Sequence, residues 1–187
     1  MTDQQNKGPA KPGSRAARLS EMLRVDHAGE YGAVAIYRGQ RAVFARLPHK
    51  ARTAALIKEM EDGEAEHLAT FDRLLAERKI RPSLLSPFWN AAGFGLGAAT
   101  ALMGEKAAMT CTAAVEDVIE KHYAEQIAEL EPHEPALAGT VRKFRDDEIG
   151  HKTTAETEGA QEAPFHKALS AVIGAGCRAA IKIAEKL

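Results

Sequence analysis

No segment of the chain alternates apolar and polar residues with period two over β-branched positions, so the pattern predicts no strands. Helical stretches are instead separated by prolines, which are tolerated at helix starts and not in helix interiors. The predicted stretches run from about residue 19 to Pro48, from there to about Arg78, and then over about 105–131, 135–159 and 165–186. The pattern therefore predicts an all-α protein.

A run without any charged residue lies between the second and third of these stretches. It covers 23 residues, 82–104, and is long enough to cross a bilayer, although its prolines and glycines suit a smooth spanning helix poorly. Three interpretations are open: a membrane span, a helix lying in the membrane interface, or a connection buried in the protein. The last stretch, 165–186, is amphipathic, and could lie against lipid or cap a bundle.

Composition narrows the class of protein. The 187 residues suffice for one well-buried domain, and the 45% of apolar and 27% of charged residues are ordinary for a globular chain. A formal net charge of −1 gives no bulk positive charge for binding nucleic acid, and two cysteines exclude a disulfide framework or a four-thiolate metal site. We expect a disordered basic tail at 1–18 and a single domain at 19–187.

Two copies of a Glu-x-x-His motif carry the first sign of chemistry. They are Glu64 with His67 and Glu148 with His151. Residues three apart on an α-helix lie 60° apart, so the carboxylate and the imidazole of each motif share one face and can reach one metal ion. A single copy is a weak signal, because a helix-rich chain produces it by chance.

The motif belongs to an internal repeat. Glu30 and Glu116, each among small apolar residues, lie 34 and 32 residues before the respective Glu-x-x-His motif. One Glu from each of two helices and Glu-x-x-His from each of the other two is typical of ferritin-like di-iron and di-manganese carboxylate proteins. The set predicts a pair of Fe ions with open positions for dioxygen. The predicted metal ligands are Glu30, Glu64, His67, Glu116, Glu148 and His151.

A shared metal centre also constrains the uncharged run. If 82–104 crossed a membrane once, the helices before and after it would lie on opposite sides, and Glu64 could not share a metal pair with Glu148. The run is therefore expected to lie flat in the membrane interface or to fold back onto the bundle. Phe88 and Trp89 favour the interface, while a buried connection stays open.

Other polar residues are candidates for a place around the metals. Tyr37 and Tyr123 each lie seven residues after a ligand glutamate, so each phenol could hydrogen-bond a ligand, orient a substrate or relay an electron, or be an ordinary buried tyrosine.

Asp147 and Asp26 could accept a hydrogen bond from a ligating imidazole, or be plain charges on the helix surface. His27, three residues before Glu30, could be a ligand, but the second repeat has no histidine at the matching place. His122 is a weaker candidate ligand.

Six segments carry a resemblance to one family of ferritin-like proteins, and three of their motifs, DHAGE, RP…PFWN…GFGLGA and CRAAI, are specific to it. The six segments are RVDHAGEYGAVAIYRGQ (24–40), the helix with Glu64 and His67, RPSLLSPFWNAAGFGLGAATALMG (81–104), CTAAVEDVIEKHYAEQI (111–127), KFRDDEIGH (143–151) and AGCRAAIKIAEKL (175–187). Together they resemble the demethoxyubiquinone hydroxylase family of ubiquinone biosynthesis, over about residues 19–187. Gly63 and Lys152 depart from the family pattern beside two ligands, which puts the surroundings of those ligands in doubt.

The resemblance implies a ferritin-like four-helix bundle with two additional apolar or amphipathic helices. It implies a di-iron centre on the same six ligands, and hydroxylation of a ring carbon of a polyprenyl demethoxy-benzoquinol with dioxygen and two electrons. Tyr123 matches a family tyrosine implicated near substrate and electron entry, and is the expected catalytic residue.

The resemblance also implies a place for the enzyme in the cell. It would lie peripherally on the membrane surface, at the cytoplasmic face of a bacterial inner membrane or the matrix face of the mitochondrial one. A lipid-carrier protein is the expected partner. One alternative shares the ligand set: a ferritin-like iron-storage or iron-handling protein.

Overall fold

The computed structural model describes residues 13–186 as six α-helices with short connections. The helices are α1 (Arg15–Phe44), α2 (Ala51–Arg78), α3 (Ser86–Leu102), α4 (Glu105–Leu130), α5 (Pro135–Thr157) and α6 (His166–Ala184). Single 3-10 turns, Pro48–Lys50 and Ala160–Glu162, lie before α2 and α6. No strand occurs within 13–186, and the predicted all-α class is confirmed.

The first helix begins at Arg15, about four residues before the predicted start. Ser14 explains the difference, because its hydroxyl accepts a hydrogen bond from the backbone N–H of Ala17 at 3.2 Å and so caps the first turn. The predicted tail, 1–18, overlaps this start, and its residues 1–12 lie outside the described residues.

Helices α1, α2, α4 and α5 form an antiparallel four-helix bundle. Ion pairs between the helices record the antiparallel register: Arg41–Glu61 for α1 and α2, Arg18–Glu129 for α1 and α4, Arg78–Glu134 for α2 and the residue before α5, and Lys152–Asp117 for α5 and α4. Ion pairs at a surface each contribute little stability, so the apolar interior must supply most of it.

Two apolar layers, one toward each end of the bundle, form that interior. One layer includes Phe71 of α2 and Val141 of α5, and the other includes Phe44 of α1 and Ile57 of α2. These four side chains are essentially inaccessible to water. Along each of the four helices, a glutamate that is no more than 1% exposed lies between the residues of the first layer and those of the second. The layers therefore enclose a polar level in the middle of the bundle.

Helices α3 and α6 lie outside the bundle, α3 along α1 and α6 along α4. The run 82–104 thus folds back onto the bundle, as one of the interpretations from the sequence had it. Among the described helices, none is both long and apolar enough to cross a bilayer.

The outer faces of α3 and α6 and of their adjoining turns expose large apolar side chains. They are Leu84, Phe88, Phe94, Leu102, Met103, Phe165, Val172 and Ile183. The run 82–104 is therefore only half buried by the protein, and the exposed side chains form an unusually apolar surface.

Glycines allow α3 to approach α1 at backbone distance. A Cβ atom at Gly97 would lie 2.0 Å from the carbonyl oxygen of Ile36, and one at Gly39 would lie 2.2 Å from that of Phe94. No side chain larger than hydrogen fits at either place. Gly97, one of the glycines that make this run a poor spanning helix, is therefore required for its packing.

We expect Gly97→Ala to destabilise the protein by about 1–3 kcal/mol, because the added methyl group forces the two helices apart. Gly95→Ala is the matched control, since a Cβ there meets nothing within 4 Å. That variant should be neutral or gain up to about 1 kcal/mol from the higher helix propensity of alanine. Urea denaturation measures both, and equal stabilities of the two variants would contradict the close packing.

Candidate metal centre

Four glutamates and two histidines meet at the polar level of the bundle. Each of the four bundle helices contributes: α1 gives Glu30, α2 gives Glu64 and His67, α4 gives Glu116, and α5 gives Glu148 and His151. Each glutamate is no more than 1% exposed. The three-residue spacing places the carboxylate and imidazole of each motif on the same inward face, as predicted.

The six side chains form two overlapping groups, and within each group one ligand atom per residue lies within 4.8 Å of all the others. We name the groups by their histidines. The His67 position consists of Glu30, Glu64, His67 and Glu148, and the His151 position consists of Glu64, Glu116, Glu148 and His151. Glu64 and Glu148 belong to both groups, as carboxylates that bridge two cations would. The structure thus brings together all six predicted ligands.

Eight buried atoms of these side chains have no hydrogen-bond partner among the described residues. They are Oε2 of Glu30, both carboxylate oxygens of Glu64, Oε2 of Glu116, both carboxylate oxygens of Glu148, and Nδ1 of His67 and of His151. Buried polar atoms are normally paired, because an unpaired one costs the free energy of its lost hydration. Carboxylate oxygens and imidazole nitrogens without donors are what two divalent cations require, so the residues fit a dinuclear metal site.

The shifted pKa values of the clustered side chains also fit a metal site. Burial raises the pKa of Glu30 and of Glu116 well above the usual range, and the neighbouring carboxylates raise it further. Burial alone would lower the pKa of His151, but the carboxylates of Glu148 and Glu64 outweigh it and raise the pKa to about 11. The cluster thus holds protons where cations would otherwise lie, and metal binding should release them.

Two tyrosines are hydrogen-bonded to the glutamates that come from single-ligand helices. Tyr37 of α1 donates to Oε1 of Glu116 on α4 at 2.6 Å, and Tyr123 of α4 donates to Oε1 of Glu30 on α1. Of the roles that the sequence left open for them, the structure thus shows a hydrogen bond to a ligand. Each phenol bonds the glutamate of the opposite helix, so the pair ties α1 to α4 at the polar level.

The outer nitrogen of one imidazole has the partner that the sequence suggested. Nε2 of His67 lies 3.1 Å from Oδ2 of Asp147 and donates to it, so Nδ1 faces the other ligands. Neither of the two interpretations of Asp26 holds, since this carboxylate is buried and accepts hydrogen bonds from His122 and Gln126 on α4, and His122 lies outside both ligand groups. The register between α1 and α4 decides this, because it sets Asp26 opposite His122 and Gln126.

The other histidines lie outside both groups. His27 faces α2, where its Nε2 lies 2.9 Å from Asp72, and His122 is held by Asp26. Neither is therefore a ligand candidate in this arrangement, and His49 and His133 are exposed at turns.

One residue at the site, Phe144, was missed from the sequence. The ring of Phe144 stacks on that of His67, with centroids 4.0 Å apart and an angle of 29° between the planes. Its place one helical turn before Glu148 was the available signal. Gly63 lies beside the ring of His151, where a Cβ would be 3.3 Å from Nε2. From the sequence, Gly63 was noted as a departure from the family pattern beside Glu64, but its place beside His151 was not expected.

An apolar groove lies on the far side of the wall that α1 and α4 make, between α3 and α6, with a volume of about 330 Å³. We call it the α3–α6 groove. Its lining includes Gly29 and Ala33, the neighbours of Glu30 along α1, and Val115, the neighbour of Glu116. Trp89 also lines it, and the buried indole N–H of Trp89 has no acceptor among the described residues. The apolar groove thus borders the segments of α1 and α4 that carry Glu30 and Glu116.

We expect Glu116→Gln to lower bound metal from about two ions per chain to about one, because Glu116 belongs only to the His151 position. The metal-free variant should melt at the same temperature or higher, since one buried carboxylate is gone. Glu125→Gln, at an exposed glutamate of the same helix, is the control and should keep both ions. Elemental analysis and melting curves with and without Fe²⁺ check this, and two ions retained in Glu116→Gln would remove Glu116 from the ligand set.

Comparison with known proteins covers nearly the whole chain. Residues 17–184 match the family model of the ubiquinone biosynthesis protein COQ7. The 3-demethoxyubiquinol 3-hydroxylase of Rhodospirillum rubrum is 46% identical over 179 residues, which are 96% of this chain and 82% of that protein.

Eukaryotic relatives are similar over comparable lengths. The human NADPH-dependent 3-demethoxyubiquinone 3-hydroxylase, mitochondrial, is 44% identical over 93% of this chain and 80% of its own. The 5-demethoxyubiquinone hydroxylase, mitochondrial, of Saccharomyces cerevisiae is 40% identical over the same shares. These matches confirm the resemblance inferred from the motifs. The chain belongs to the COQ7 family of ubiquinone biosynthesis proteins.

Proposed function

We propose that this protein hydroxylates a ring carbon of a polyprenyl demethoxy-benzoquinol, a 3-demethoxyubiquinol, at a di-iron centre held by the six candidate ligands. The reaction consumes dioxygen, two electrons and two protons. One oxygen atom enters the ring, and the other takes up the two protons and leaves as water. The observation that carries the proposal is the convergence of eight unpartnered oxygen and nitrogen atoms in a chain whose relatives are named demethoxyubiquinone or demethoxyubiquinol hydroxylases.

The choice of iron rests on the donor set. Four carboxylates and two imidazoles, without thiolates, match the ferritin-like di-iron pattern and leave coordination positions open. Two iron ions bound there would supply the binding and reduction of dioxygen. The protein's share is to hold both ions in a dry site and to place the ring beside them.

Tyr37 and Tyr123 contribute by fixing the ligands. Burial and the neighbouring carboxylates, Glu116 for Tyr37 and Glu30 for Tyr123, raise the pKa of each phenol, so both stay protonated and keep donating. Each phenol holds Oε1 of its glutamate and leaves Oε2 free for an ion. We assign the catalytic role to Tyr123, which lies beside His122, the partly exposed histidine on α4.

The α3–α6 groove is the proposed binding site for the substrate. A polyprenyl tail gains about 0.8 kcal/mol for each CH₂ group removed from water, and the groove offers it an apolar lining from four helices. Small residues, Gly29 and Ala33, separate the groove from Glu30. The ring is therefore proposed to approach the ions between α1 and α4, with the tail along the groove.

Such a substrate is delivered from a bilayer, and the exposed apolar side chains of α3 and α6 flank the groove. We propose that this surface rests on lipid, at the cytoplasmic face of a bacterial inner membrane or the matrix face of the mitochondrial one. A lipid-carrier protein of the pathway is the proposed partner. An iron-storage function is not favoured, since it has no use for an apolar groove beside the ligands.

We expect the iron-loaded protein to convert a short-chain demethoxy-benzoquinol to a product heavier by one oxygen atom. NADPH is the first reductant to supply, because the human relative is named NADPH-dependent. Mass spectrometry with ¹⁸O₂ should place one labelled atom in the product, and Glu148→Ala should abolish it. A protein that binds two iron ions yet never converts the quinol, with NADPH or a chemical reductant, would disprove the hydroxylase.

We expect Leu84→Ser combined with Phe88→Ser to weaken binding to phosphatidylethanolamine–phosphatidylglycerol vesicles at least about tenfold. Fully burying such side chains contributes about 1.5–3 kcal/mol each, and 1.4 kcal/mol is a factor of ten. Ile149→Ser is the control, since Ile149 is an exposed apolar residue on α5, away from α3 and α6. Vesicle flotation measures the three proteins, and equal binding would show that α3 does not contact lipid.

A further inference from the structure

The two metal positions have matching donors but different surroundings. At the His67 position, the imidazole is fixed on two sides: Nε2 donates to Asp147 at 3.1 Å, and one face of the ring stacks on Phe144. Its side chain is only 3% exposed. The hydrogen bond selects the tautomer that carries its lone pair on Nδ1, so the ring is already oriented for a cation.

At the His151 position, the imidazole lacks both supports. No hydrogen bond to its Nε2 is present among the described residues, and its only aromatic contact is edge-on to Tyr37, with centroids 6.1 Å apart. The side chain is 16% exposed. The ring is held only from its inner side, where Nδ1 lies 2.9 Å from Oε1 of Glu64, so a cation that binds here must restrict it further, which costs conformational entropy.

The internal repeat shows where the missing partner would be. Asp147 directly precedes Glu148 on α5, and it serves His67 of α2. The equivalent residue on α2 directly precedes Glu64, and it is Gly63. A Cβ built on Gly63 lies 3.3 Å from Nε2 of His151, so this position faces the second imidazole as Asp147 faces the first. The repeat thus has no side chain on α2 where a hydrogen-bond partner for His151 would be.

We propose that the two positions bind divalent metal unequally, with the His67 position tight and filled first and the His151 position weak and exchangeable. Asp147 is the positioning residue that sets this order. The inference rests on the metal-binding part of the proposed function alone. It follows from pre-organisation, because the tight position needs no rearrangement of its imidazole.

Loss of such an outer hydrogen bond typically lowers metal affinity 10- to 100-fold. Two steps of binding are not diagnostic by themselves, because two cations that share Glu64 and Glu148 repel each other even at identical positions. The test therefore needs variants that each alter one position. Asp147→Ala alters only the His67 position, and Glu116→Gln alters only the His151 position.

The experiment is a titration of metal-free, full-length protein with Co²⁺, followed by calorimetry and by visible absorption. We expect Asp147→Ala to weaken the first step about 10- to 100-fold, and Glu116→Gln to keep the first step and lose the second. Asp147→Asn, which keeps an acceptor oxygen without its charge, should fall between wild type and Asp147→Ala. Asp146→Ala is the control, because Asp146 is an exposed neighbour that pairs only with Arg145.

The melting temperature of each metal-free variant separates positioning from folding, and it should match that of the wild type for Asp147→Ala. If the first binding step is unchanged in both variants, the two positions bind metal equally. If the first step is lost only in Glu116→Gln, the His151 position is filled first. Either result overturns the inference and leaves the di-iron proposal standing. Failure of wild-type protein to bind Co²⁺ or Fe²⁺ at all would instead overturn the proposed function.

Discussion

Four carboxylates buried at one level of a helical bundle impose the constraint on which the rest of the structure depends. Each buried charge without a partner costs several kcal/mol, so the helices would turn these side chains toward water if they were free to rotate. The apolar layers on both sides prevent this, because turning Glu64 outward would also expose Phe71 and Ile57 on the same helix. Bound cations then remove a cost that packing has made unavoidable.

The same constraint explains how much of the site the sequence predicts. Glu64 and His67 share a face through local helix geometry. A repeat of that spacing, with one glutamate before each copy, predicts the six side chains that the structure brings together. Contacts between helices are different, since they depend on register. The phenol of Tyr123 was expected inside the bundle, but its bond to the glutamate of the opposite helix could not be derived. For the same reason, the partners of Asp26 on α4 could not be derived.

The position of α3 shows a second limit. A run without charged residues is compatible with both a lipid bilayer and a protein interior, so hydropathy alone does not decide which of them surrounds it. The sharing of one site by both halves of the chain excluded a span, and the structure adds what pattern could not: backbone contact between Gly97 and Ile36 along one face, and exposed side chains such as Phe88 on the other. Helix α3 therefore packs against the protein with one face and exposes an apolar surface on the other.

The wall between groove and ligands depends on the two faces of α1. Glu30 points toward the bundle, whereas its neighbours Gly29 and Ala33 line the groove, so a single helical turn separates an apolar surface from a candidate metal ligand. A larger residue at either place would thicken this wall on the side from which the ring is proposed to arrive. Small residues on α1 thus serve two purposes, the close packing of α3 and a short path to the ligands. Both purposes favour glycine or alanine, although glycine has a low helix propensity.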